Sequence, residues 1–126
     1  MKRSLLEIYA LGVCFVTLIC FAIALGVGFY DVVQIISPEF TLSQWEFEKH
    51  QTNERFLASW PKEKPIPPED QVTALRKQSY AVAVAVERRS AVQSLVMVAI
   101  IVLIDVVIFL VHWRLGARAR QASAVA

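Results

Sequence analysis

The chain has 126 residues, of which 56% are hydrophobic and 19% charged, with 13 Lys and Arg against 11 Asp and Glu. That much apolar side chain exceeds what a soluble core of this size can bury, and two long apolar runs with their flanks use most of the length, so one domain is the reading. A net charge of +2, carried by a few basic residues near the ends, excludes a nucleic-acid binder and suits anionic lipid headgroups.

The first element in chain order is an apolar run. Lys2 and Arg3 precede it, Glu7 and Tyr9 open it, and residues 8–30 hold no charge. The basic start and the small residues Ala22 and Ala24 resemble a secretory leader, but the run continues well past the ~7–15 residues of such a core. It is read as an uncleaved membrane span, carried on to residue 36 and stopped by Ser37-Pro38. Both cysteines, Cys14 and Cys20, lie within it six positions apart, which turns them away from each other and excludes an intrahelical disulfide. Ala22 with Gly26 and Ala24 with Gly28 are small pairs at i, i+4, a spacing that lets helices approach closely in lipid.

The outer segment, 37–90, comes next. Ser43 with Glu46 three positions on is a capping-box signature, and Pro61 ends the run, which predicts one amphipathic helix over 44–59. Trp45 and Trp60 at its ends make it either an interfacial helix on the outer leaflet or one that packs on the rest of the loop. Glu46, His50 and Glu54 at i, i+4, i+8 have metal-ligand spacing, but the neighbouring Lys49, Asn53 and Arg55 favour a solvated face with local ion pairs. No metal or other cofactor is predicted. Four prolines between 61 and 68 form an extended linker. Pro68 and the acidic pair Glu69-Asp70 then suit the first turn of a long helix, predicted to run from the loop straight into the second span.

That second span, 91–113, is the strongest signal. Residues 91–111 contain one charge, Asp105, and 21 helical residues cover about 30 Å, the thickness of a bilayer core. On an ideal helix Ser94, Asp105 and His112 share a narrow sector with Glu87. Because an ionised carboxylate at mid-span costs about 2.5–3.5 kcal/mol, Asp105 is expected to face another helix or take up a proton. Two uses follow. Asp105 is a hydrogen-bonding contact to Thr17, Cys14 or a second copy, which is preferred. The alternative is a titrating group in a proton or cation path with His112 at its inner mouth. Trp113, Arg114, Arg118 and Arg120 are read as interface anchors.

Basic flanks at both ends and a charge-balanced loop, with eight acidic and eight basic residues between 39 and 89, put both termini in the cytoplasm and 37–90 outside. The predicted fold is therefore an all-α membrane protein with two spans, the second extending out of the bilayer.

Glu7-Ile8-Tyr9-Ala10-Leu11-Gly12-Val13 at one helix start and Val111-His112-Trp113-Arg114-Leu115 at one helix end are similar to an uncharacterised bacterial membrane domain family. Such helix starts and ends recur there along multi-pass chains. The resemblance implies a bacterial inner-membrane protein and no particular activity. The layout also resembles that of homo-oligomeric mechanosensitive channels of large conductance, without their glycine-rich pore-helix motif. With no nucleophile–base pair, phosphate loop or metal cluster, a non-catalytic subunit is expected, self-associating or serving a larger membrane complex.

Overall fold

Helix starts and stops follow the local chemistry along most of the chain. A computed structural model describes residues 5–125, so Lys2 and Arg3 lie outside the described residues. It contains α1 (Leu5–Ile36), α2 (Pro38–Thr41), α3 (Gln44–Lys49), α4 (Asn53–Ala58) and α5 (Glu69–Val125), with no strand among the described residues. α1 ends where Ser37-Pro38 interrupts it, and Pro38 opens the single turn of α2. α5 begins one residue after Pro68. It runs without a break through the 114–125 region that the sequence marks only as a tail, since Ala, Arg, Leu and Gln dominate that stretch and Gly116 is a single weak position within it. α1 and α5 are each long and apolar enough to cross a membrane.

The chain forms two compact units, Met1–Phe29 with Ser94–Ala126, and Tyr30–Gln93. In the first unit α1 and α5 run antiparallel. Tyr9 sits against His112 with ring centroids 5.8 Å apart, Cys14 Sγ lies 3.9 Å from the Phe109 carbonyl, and Gly28 faces Leu95 and Val98. Leu5 and Ala119 are thereby at the same end of this unit. The inward positions of α1 are Glu7, Ala10, Cys14, Thr17, Phe21, Ala24 and Gly28. They alternate steps of three and four residues, the 3.5-residue period of helices wound closely about each other.

That seam inverts the usual amphipathic pattern. Ala10 is 1% exposed, Cys14 5% and Thr17 6%, whereas Phe15 is 64% exposed and Leu103 67%. Small and polar residues face the partner helix and large apolar ones face away. In water this arrangement would be unfavourable, at about 25 cal/mol for each Å² of apolar surface. Against hydrocarbon it has no such cost, and small side chains gain close helix contact.

The second unit is built differently, around a buried histidine. The predicted helix over 44–59 is in fact two, α3 and α4, separated at residues 50–52. Ser43 does cap the first, its hydroxyl accepting from the Glu46 N–H at 3.3 Å. His50 ends it and turns inward to 5% exposure, and Thr52 caps α4 by accepting from the Arg55 N–H at 3.2 Å. The break is stabilised from outside the segment. The Arg76 guanidinium on α5 donates to the carbonyls freed at His50 and Gln51, and its Nε donates to Asn53 Oδ1 at 2.9 Å. Charge-assisted bonds of this kind to the last carbonyls of a helix offset the lost helical bonds.

His50 is satisfied at both ring nitrogens. Nδ1 lies 2.6 Å from the Glu46 carbonyl. A carbonyl can only accept, so Nδ1 carries the proton. Nε2 pairs with the Ser79 hydroxyl at 2.9 Å. The ring also meets Phe56 and Tyr80, with centroids 5.9 and 5.6 Å away. Burial, and secondarily the Glu39 carboxylate, raise the Tyr80 phenol above its ordinary value of 10.0. His50→Ala removes two hydrogen bonds, about 0.5–1.5 kcal/mol each, and leaves a cavity, for a total on the order of 2–4 kcal/mol. Limited trypsin digestion of the intact protein in detergent reads this. Cleavage after Arg55 and Arg76 should accelerate several-fold, while cleavage after the exposed linker residue Lys62 should not change.

Candidate functional site

Asp105 is placed by the heptad seam of the first unit. It lies four residues before Phe109 and seven before His112, both turned toward α1, and is 9% exposed. Its Oδ2 is buried with no hydrogen-bond partner. A furrow of about 160 Å³ opens beside it, walled by Thr17, Leu18 and Phe21 of α1 and by Val106 and Phe109 of α5. Every wall except Thr17 is apolar. A buried polar atom without a partner costs about 1–3 kcal/mol, and more when charged.

Thr17 shares the furrow, but its hydroxyl donates to the Cys14 carbonyl of its own helix at 2.9 Å. Cys14 in turn points to the Phe109 carbonyl. Neither hydrogen is directed at Asp105, the partner expected for it; both residues line the seam with their hydrogens on backbone carbonyls. His112 is likewise committed, with Nδ1 donating to the Ile108 carbonyl at 2.8 Å while the ring packs on Tyr9. Ser94 lies at the far end of the unit at intermediate exposure, and between it and Asp105 the inward positions are Leu95, Val98 and Val102.

Of the two small-residue pairs, the seam contains one. Ala24 is 7% exposed, and a Cβ at Gly28 would meet Val98 Cγ1 at 3.3 Å. Ala22 and Gly26 face away, with nothing within 4 Å of a Cβ at Gly26. Trp113 is half exposed and stacks on Phe109, with the Arg120 guanidinium carbon over the indole at 5.5 Å from the ring centre. Arg114 and Arg118 are exposed.

In the second unit Trp45 is exposed beneath Lys49 Nζ, 4.8 Å from its centroid. Trp60 instead packs on Phe56, with its indole nitrogen buried and unpartnered. Of Glu46, His50 and Glu54, the first two stay close, with His50 Nδ1 3.6 Å from Glu46 Oε2, while the other ring nitrogen meets Ser79. No group of three metal-ligating side chains is assembled among the described residues. A second buried carboxylate, Asp31 at 3% exposure, also has an unpartnered Oδ2. It lies one turn before Gln34, whose amide donates to Glu87 at 2.6 Å. Its place three residues after Gly28, on the same side of α1, was the signal available for burial.

Comparison with known protein families, curated proteins and solved structures returned no match.

The two glycines separate the seam from the outward face. Gly28→Leu forces a large side chain against Val98 and should lower stability by about 1–3 kcal/mol. Gly26→Leu adds to an open face and should stay within about 0.5 kcal/mol. Thermal unfolding of both variants in the same detergent gives the comparison.

Proposed function

We propose that this chain is a non-catalytic integral membrane subunit that self-associates or serves a larger membrane complex through helix packing. The observation that carries the reading is the inverted exposure of the first unit. Along the apolar stretches of both helices, bulky Leu, Ile, Val and Phe side chains face outward, while Thr17, Asp105 and His112 face inward. A surface of that extent and polarity calls for hydrocarbon or protein cover. We assign the chain to the bacterial inner membrane on the resemblance of its helix ends. The antiparallel helices put Leu5 and Ala119 at one end of their unit, and the basic flanks assign that end to the cytoplasm, with 37–90 outside. The folded segment around His50 is then an outer contact surface.

Conduction through Asp105 is the second reading. It is disfavoured because Leu95, Val98 and Val102 interrupt any polar series along the seam, and a path needs several polar groups in succession.

Labelling tests the topology. With Cys14 and Cys20 replaced by Ser, a cysteine at the exposed Gln51 should react with an impermeant maleimide in intact spheroplasts. One at Gln121 should react only after permeabilisation. The reverse pattern would overturn the orientation, and a protein that fails to float with liposomes would overturn the membrane reading. Reproducible single-channel currents from the purified protein would replace the subunit reading with the conductor.

A further inference from the structure

We infer that the furrow beside Asp105 receives a basic side chain, Lys or Arg, from a transmembrane helix of a different protein. The inference rests on the reading of the chain as a membrane subunit and names the chemistry of its partner.

Three observations carry it. Asp105 is nine-tenths buried, its Oδ2 has no partner, and the furrow beside it is open between α1 and α5. The polar groups nearest along the seam are already engaged: the Thr17 hydroxyl bonds to the Cys14 carbonyl, and His112 Nδ1 bonds to the Ile108 carbonyl. Finally, this chain contains no Lys or Arg between positions 4 and 48 or between 90 and 113. A second copy packed at the same depth therefore brings apolar, hydroxyl, thiol or carboxyl groups and no cation. Charge complementarity has to come from another sequence. A furrow of about 160 Å³ holds the volume of several waters at about 30 Å³ each, so it admits more than a methyl-sized knob. A long basic side chain suits it because its stem packs on Leu18, Phe21 and Phe109 while its head reaches the carboxylate. Each charge alone is unfavourable in the span, and pairing offsets part of that penalty for both helices at once.

The probe is a synthetic Leu-rich transmembrane peptide with a single Lys placed at the depth of Asp105. Matched peptides carry Leu or Gln at that position. Association with the full-length protein in liposomes is read by energy transfer between labels. The Lys peptide should bind at least tenfold more tightly than the Leu and Gln peptides. Asp105→Asn, nearly the same size, should abolish that preference, and Asp105→Glu should keep it within a few-fold. A Lys peptide that binds no better than the Leu or Gln peptide overturns the inference, as does a preference that survives in Asp105→Asn. A stable homo-oligomer that Asp105→Asn dissociates and the Lys peptide does not enter also overturns it, by giving the furrow to a second copy. Failure of the wild-type protein to float with liposomes overturns the membrane reading and this inference together. Normal flotation with indifference to the Lys peptide removes this inference alone.

Discussion

Close approach of α1 to α5 along the seam of small and polar residues is the contact on which the first unit depends. Ala10, Ala24, Gly28 and Gly116 bring the backbones together, and Cys14 and Thr17 fill the spaces between them. In lipid no hydrophobic gain rewards burying a leucine, since the tails are equally apolar. What remains is packing, and packing improves when the side chains between two helices are small. The 3.5-residue period keeps those residues facing the partner over several turns. It also carries Asp105 and His112 inward, so the seam fixes where the polar chemistry of the span lies.

The second unit depends on a different kind of contact. Its segments are too short to hold shape by helix propensity, being four to six residues each. Hydrogen bonds from α5 hold them: Ser79 to His50, Arg76 to the carbonyls at 50 and 51, and Thr73 with Asn53 at 2.8 Å. Val72, at 1% exposure, and Phe56 supply a small apolar centre. One helix, α5, thus works by two rules. Where it is apolar all round, it packs through small side chains. Where it is mixed, it packs through polar side chains that stand in for helix caps.

How much of this could be read beforehand follows the range of the interactions. The two apolar runs, the Ser37-Pro38 stop, the Ser43 cap and the Pro68 start are local signals, and each appears where the residues indicate. The division of 44–59 was only partly local. Thr52-Asn53 is a helix-start signal, but the Arg76 that satisfies the broken end is more than twenty residues away. The inward turn of Asp105 and His112 followed from one helix's own periodicity. Which small pair faces α5 did not, because Ala22/Gly26 and Ala24/Gly28 have the same spacing, and only the register with the second helix distinguishes them.

The seam itself is tested most directly by covalent capture. A Cβ at Gly116 would lie 3.4 Å from the Ala10 Cβ, close to the roughly 3.5–4.5 Å that a disulfide needs. In a background with Cys14 and Cys20 replaced by Ser, Ala10→Cys with Gly116→Cys should oxidise to a cross-link within one chain in membranes. Gly12→Cys with Gly116→Cys, at nearly the same depth but turned away from α5, should not. Absence of the first cross-link, equal yield in both pairs, or cross-links formed only between chains would contradict the packing of α1 on α5.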